Sequence, residues 1–422
     1  MSSSSAPSRL SLLLRAIGPG ILMAGAAIGV SHVVQSTRAG ATYGLSLVWL
    51  VVAVNVLKYP FFEAGHRYTV ATGESLLHGY RRLGKGFLWA FIVLNAFTAV
   101  ISVAGVTFVT AVVAPKPGPL AELGPATISA GLMVVVAGLI AVGHYRWLSR
   151  VIKVMMFLLF VATLAAFFTA AAAPRAALAG FEAPSPWTLA ALPFLIALMG
   201  WMPAPIEMSV WQSLWIRAAE RDRAARTSRV EAAVDFNVGY AMTTLLAALF
   251  VALGAWVMFG TGQEYASSST AFTTEFVSLY TQRLGEWTGP IIAAAAFITM
   301  LSTTMTVIDA YPRSIAAAFE VAGHKLPGGD RTGHLLMIVA ACAGGLGVIF
   351  FLAASFTQLI DLITTLAFLT APLFAALNMR LVYSAHLPEP YRPGLAHRLL
   401  SWTGMLFLGG FSLVFLWVRF FA

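Results

Sequence analysis

Apolar runs of roughly twenty residues, each long enough to cross a bilayer as a helix, recur from one end of this chain to the other. A segment in hydrocarbon must pair its backbone groups internally, which leaves helices or closed barrels. The runs are blocks of Leu, Ala, Val and Phe without the polar–apolar alternation of barrel strands, so the spans are predicted helical. Only 10% of the 422 residues are charged and 59% are hydrophobic. Soluble domains carry about 25% charged residues, and a water-soluble fold of this composition would lack polar surface. The fold class expected is an all-α membrane protein with one transmembrane domain over residues 1–422. About eleven helices are predicted, near 16–34, 43–70, 86–114, 125–143, 149–172, 187–215, 233–258, 287–320, 333–353, 357–384 and 397–420.

The net charge of +9 does not point to nucleic acid, because the basic residues punctuate loops instead of forming a patch. Their placement alternates. With the N-terminus inside, nineteen Lys and Arg fall on inner segments: Arg9, Arg15, Arg81, Arg82, Lys85, Arg146, Arg150, Lys153, Arg217, Arg221, Arg223, Arg226, Arg229, Arg313, Lys325, Arg331, Arg380, Arg392 and Arg398. The outer segments hold four: Arg38, Lys116, Arg175 and Arg283. By the positive-inside rule this places the N-terminus in the cytoplasm and the C-terminus outside, in a multi-pass inner-membrane protein. The N-terminal segment reads as retained and not cleaved, because its short apolar run continues into a helix. The polar loop 259–286 reads as an outer connector, and the single cysteine, Cys342, as a small packing residue.

Two predicted spans are interrupted. The first reads GPGILMAGAAIGVSHVVQST, where Gly29, Ser31 and His32 break an apolar run. The sixth reads LMGWMPAPIEMSVWQS, with Pro203 and Pro205 followed by Glu207. Two prolines so close remove backbone donors and cannot both lie in a regular helix interior. These are the first and sixth spans, so each opens a block of five, and an odd block inverts the topology of the second. Interruptions at corresponding places in two halves point to a site at the membrane midplane, where free carbonyls hold cations and half-helix N-termini hold anions. The expected arrangement is inverted repeats over about 16–172 and 187–384, with an extra helix at about 397–420.

At these residues the sequence resembles the Nramp family, the natural-resistance-associated macrophage proteins, which are proton-coupled divalent-metal transporters. GPGILMAGAAIG, AGATYGLSLVWLVVAVN and VATGES look like the family's first two helices; Met202-Pro203, Gln212-Ser213, FNVGYAMTTLLAALFVALGA and LSTTMTVIDA look like its sixth to eighth. The resemblance implies a LeuT-like fold of two inverted five-helix repeats plus one helix, working by alternating access. The chain departs from the family's metal-binding motifs. Where the family's first helix carries Asp-Pro-Gly-Asn, this chain has Gly29, Val30, Ser31 and His32. Met-Pro-His becomes Met202-Pro203-Ala204, a further sixth-helix His becomes Ser209, and a tenth-helix Gln falls near Thr364 and Thr365. The stretch resembling the third helix has no carboxylate.

The candidate substrate site is therefore Gly29, Ser31, His32, Met199, Met202, Ala204, Glu207, Thr364 and Thr365. Glu207, Asp309 and His32 are the coupling-ion candidates. Met202, His32 and Glu207 are the possible metal ligands, since a thioether and an imidazole suit a transition metal and a carboxylate any dication. Glu63, His66, Arg67 and Lys58 read as one internal ion-pair network, and Asp361 as structural. No Walker loop or other enzyme motif occurs, and no cofactor is expected. The partners expected are a transported ion or small solute and membrane lipid. Three readings stay open: a divalent-metal carrier with a rebuilt site, a carrier of a small organic solute or anion such as a carboxylate or bicarbonate, and a non-transporting receptor or scaffold on the same fold. A dication held without a carboxylate bears a large desolvation cost, which keeps the first two in balance.

Overall fold

The computed structural model describes residues 18–115, 118, 122–142, 145–172, 178, 180–262, 269–327, 329–352 and 356–421. Arg9, Arg15, Lys116 and Arg175, and with them the N-terminal segment expected to be retained, lie outside the described residues.

The predicted spans appear as helices, and the interrupted ones appear in pieces. α1 (Pro19–Ala27) leads through a π-helical turn (Ser31–Ser36) into α2 (Thr37–Tyr43). Then come α3 (Val48–Thr72), α4 (Leu76–Leu83), α5 (Lys85–Val113), α6 (Pro125–Val142) and α7 (Tyr145–Ala172). The sixth span is α8 (Leu192–Gly200) and α9 (Met208–Arg223). The remainder are α10 (Arg229–Val257), α11 (Ser269–Leu284), α12 (Gly289–Ala322), α13 (Gly329–Leu352), α14 (Phe356–Val382) and α15 (Leu395–Phe421). Among the described residues eight segments are long and apolar enough to cross a membrane by themselves; the sixth span is too short in its apolar part, Leu189–Gly200, because the chain breaks there. The protein is a multi-pass membrane protein.

Local chemistry sets the ends. Ser228 and Glu231 form a reciprocal capping box at the start of α10, satisfying two orphan N–H groups. Gly73 takes φ +74 where α3 stops, a conformation costly for residues with a Cβ. The connector expected at 259–286 is corrected in part: it contains α11. Phe276, Leu279 and Tyr280 lie on one face of that helix and are buried, and the Tyr280 hydroxyl meets Thr163 Oγ1 at 3.0 Å. The Ser/Thr content of the stretch masked that narrow apolar stripe.

α10 is the post against which the first span leans, packing on α1, the π turn, α2 and α3. The approach is close because glycines line it. A Cβ on Gly20 would lie 2.2 Å from the Asp235 carbonyl oxygen, and one on Gly239 would lie 2.3 Å from the Gly20 carbonyl oxygen. Asp235 also caps α1, accepting from Gly18 N at 2.9 Å and Gly20 N at 2.5 Å. Without a hydrophobic drive between helices in lipid, such backbone-to-backbone packing supplies much of the association. Gly20→Ala is therefore expected to cost about 1–3 kcal/mol by overpacking. Gly131→Ala, on α6 with nothing near its Cβ position, serves as the neutral control. Thermal unfolding of the two variants in detergent checks this; equal midpoints would refute it.

Candidate functional site

Both interruptions fall in the interior. At the first, α1 ends at Ala27 and Ile28 leaves the helical region with ψ +84. The chain resumes as six buried residues in π geometry, a form that widens the helix and recurs at functional sites. At the second, α8 stops at Gly200 and residues 201–207 are not helical, with a cis bond between Met202 and Pro203. A Cβ on Gly200 would lie 1.8 Å from the Thr364 carbonyl oxygen, so the end of α8 lies flush on α14.

Between the two breaks is a small cavity of about 20 Å³. That is space for about one water. Its wall takes Gly29 and Ser31 from the first break, Trp201, Pro203, Ala204, Pro205 and Met208 from the second, and Trp211 just beyond on α9. Ser102 and Val106 come from α5, and Thr303, Val307 and Tyr311 from α12. Trp201 and Trp211 each carry an indole N–H without a hydrogen-bond partner among the described residues. An indole N–H can only donate, and a buried donor without an acceptor is costly.

A vestibule of about 870 Å³ opens from the end that carries Gly18, Arg221, Arg313 and Arg331. Leu214 and Trp215 of α9 and Thr306 of α12 line it, one turn from cavity residues on the same helices. Trp211 stands at this step, its ring edge-on to Tyr311 at 4.6 Å and to Trp215 at 6.2 Å. At the opposite end the breaks are tied together. Arg38 of α2 binds Asp361 of α14 at 2.8 and 3.0 Å, Gln35 Nε2 donates to the same carboxylate at 2.9 Å, and the Arg38 guanidinium lies 4.8 Å from the Phe194 ring of α8.

The fold brings only part of the expected set to the cavity. Gly29, Ser31 and Ala204 line it. His32 is fully buried and spends both ring nitrogens inside the protein, Nε2 at 3.0 Å from the Thr243 carbonyl of α10 and Nδ1 at 2.9 Å from Ser31 Oγ. It ties the π turn to α10 and is absent from the cavity lining. Met202 is buried in the linker, also off the cavity wall, and the thioether on the wall is that of Met208. Met199 contributes its carbonyl, described below. Thr364 packs under Gly200, with Gln35 Nε2 at 3.4 Å, while Thr365 on α14 is half-buried and off the wall. Asp309 lies in the vestibule, paired with Arg313 at 2.6 Å and near His334 at 3.5 Å. Glu207 is buried directly before α9; Oε1 accepts from the Tyr311 hydroxyl at 3.0 Å, and Oε2 has no hydrogen-bond partner among the described residues. No group of three His, Cys, Asp or Glu suited to a metal ion occurs among the described residues.

The expected ion-pair network divides. Glu63 holds Arg67 and lies near His66 and His397 at 3.9 and 3.4 Å. Lys58 is not part of it. Its Nζ, fully buried, donates to the carbonyls of Met199 and Gly200 at 2.7 and 2.8 Å, at the interrupted end of α8. Asp361 and Lys58 thus reach the breaks through contacts that span some 300 and 140 residues of chain, which no local pattern announces.

The family model for natural resistance-associated macrophage protein-like (Nramp) proteins matches residues 20–418. The chain belongs to the Nramp family. This is a transporter family, and the chain is a membrane transporter. Another relative is uncharacterized protein PM0681 of Pasteurella multocida, 37% identical over 95% of this chain and 92% of that protein. Among solved structures, this Nramp chain resembles the Eremococcus coleocola manganese transporter in complex with an aromatic bis-isothiourea compound, at TM-score 0.67 and 12% identity over 97% of this chain and 88% of the other. MhsT with L-phenylalanine gives TM-score 0.61 and 13% identity over 99% and 100%. Mhp1, a nucleobase-cation-symport-1 family transporter, gives 0.57 and 15% over 99% and 96%. The LeuT-like fold expected from the sequence is thereby shown.

Proposed function

We propose that this Nramp-family member is an alternating-access secondary carrier whose cargo binds between the two helix breaks and presents hydrogen-bond acceptors: a small organic solute or anion of the carboxylate or bicarbonate type. The carrying observation is the pair of unpartnered indole N–H groups, Trp201 and Trp211, in the cavity wall. The Ser31, Ser102 and Thr303 hydroxyls share the wall but are already bonded, to His32, the Tyr311 hydroxyl and backbone carbonyls. Two free indole donors suit an acceptor and give a dication little. The vestibule end bears the basic loop Arg217–Arg229, so the state is read as open to the cytoplasm and closed outside by Arg38 and Asp361.

A second reading, divalent-metal transport, is favoured by the likeness to a manganese transporter and by the bare Glu207 Oε2. Purified protein in liposomes separates the two. Saturable uptake of labelled acetate or bicarbonate, unchanged by EDTA, is the expected result. Mn²⁺ uptake abolished by EDTA, with no carboxylate or bicarbonate flux, would overturn the acceptor reading in favour of the metal. Liposomes that move neither would count against both readings.

A further inference from the structure

A helix that ends inside a membrane protein leaves its last carbonyls unpaired and presents a partial negative charge. In carriers built on broken helices, unwound carbonyls of this kind coordinate a cation taken from solution. Here α8 ends so at Gly200, and the position is filled from within the chain. Lys58, one of the largest fully buried side chains, reaches from α3 and gives two short hydrogen bonds to the last two carbonyls of α8. The Phe368 ring lies 5.9 Å from Nζ, and the carboxylate whose charge acts on it is Glu207, across the break. An ammonium carries three donors, and a buried ammonium is tolerated only where carbonyls and a counter-charge surround it. The placement supplies two carbonyls in direct contact, with the Glu207 carboxyl acting from beyond ion-pair distance.

We propose that Lys58 is a resident cation: its side-chain nitrogen occupies the cation position at the interrupted end of α8, so this carrier needs no soluble cation there and brings its own positive charge to the cargo site. The proposal rests on the acceptor-cargo reading and deepens it. A fixed positive charge one residue from Trp201 repels a dication and attracts a carboxylate or bicarbonate. It also accounts for the missing first-helix carboxylate. Where the chain supplies the cation, a second carboxylate to hold a metal has no partner.

The test needs no cargo. Lys58→Ala in detergent vacates the position, and thermal unfolding is followed during titration with ethylammonium, Na⁺ or K⁺ chloride, with choline chloride controlling for ionic strength. Wild type should be indifferent to all four salts. Lys58→Ala should unfold at lower temperature and regain several degrees with ethylammonium or with one of the alkali ions, as expected of a ligand that binds only the folded state. Equal responses of wild type and Lys58→Ala, or an unshifted Lys58→Ala, would overturn the proposal. Should Lys58→Ala not yield folded protein, Lys58→Gln keeps a hydrogen-bond donor for the two carbonyls without the charge. A midpoint equal to wild type would then show a mere hydrogen-bond tie and refute the resident cation; a clear drop supports it. Mn²⁺ uptake in liposomes together with cation rescue of Lys58→Ala would remove the cargo reading and leave the resident cation standing.

Discussion

Glutamine at position 207 should stop transport and destabilise the protein, and the destabilisation should shrink when Lys58 is also glutamine. Glu207→Gln keeps the volume and an acceptor for the Tyr311 hydroxyl, so the substitution isolates the charge. In the folded protein the Glu207 carboxyl and the Lys58 amine flank the same α8–α9 break and act on each other electrostatically. Removing one member of a buried pair leaves the other uncompensated. At an effective dielectric constant near 20, a unit pair somewhat beyond contact distance is worth about 1–3 kcal/mol. Each single variant should lose a share of stability of that order. The double variant should lose about 1–3 kcal/mol less than the two singles together, and this coupling energy is what a double-mutant cycle measures. Transport should fall at least about tenfold in all three, since each removes a charge from the site at which the cycle turns. Chemical unfolding in detergent gives the cycle, and the liposome flux gives the transport. A coupling energy near zero would mean that the two groups do not share one electrostatic site.

The parts of this molecule that could be read from the sequence are those written locally. Pro203, Pro205 and Gly29 interrupt apolar runs, and the structure breaks both helices there, because missing donors and missing side chains act within a turn. The LeuT-like fold was implied by the resemblance to the Nramp family, carried by those same stretches. The cavity wall was less so. His32 sits three residues from Gly29, yet its ring turns to the α10 carbonyl of Thr243, a contact that depends on where a helix 211 residues away is packed. Lys58 stands between apolar residues in the middle of a span, and sequence alone grouped it with its charged neighbours Glu63, His66 and Arg67. Its true partners are two backbone carbonyls, which carry no letter in a sequence. Trp211 and Tyr311 take their position between cavity and vestibule only once α9 and α12 lie side by side, which no local pattern announces. The one available hint was excess: a membrane span with an unexplained charge marks a functional place by default, and Lys58 deserved that weight before any pairing with its neighbours.

Asp361→Ala should open the end of the site that the Arg38 pair now closes. The pair joins α2 to α14, and Gln35 and Phe194 add a hydrogen bond and a ring contact from the π turn and α8, so four segments meet at one carboxylate and one guanidinium. Both side chains are partly exposed, 25% and 34%, so the ion pair is discounted for screening to about 1 kcal/mol. The cation–π contact adds about 0.5–1 kcal/mol. Losing about 1.5–2 kcal/mol from one state of a two-state carrier changes the ratio of states roughly ten- to thirty-fold. The chain has one cysteine, Cys342, so Cys342→Ala gives a cysteine-free background, and Ala204→Cys then places a single thiol in the cavity wall. A membrane-impermeant thiol reagent, added on the side of Arg38, should label that cysteine about tenfold faster in the Asp361→Ala protein than with Asp361 intact. Labelling from the vestibule side should slow, because the two accessibilities draw on one population. Arg38→Ala should act in the same direction and somewhat more strongly, since it also removes the Phe194 contact, and the double variant should match it. Labelling that rises equally from both sides would instead mean a loosened protein, and an unchanged rate from the Arg38 side would show that the pair does not close the path.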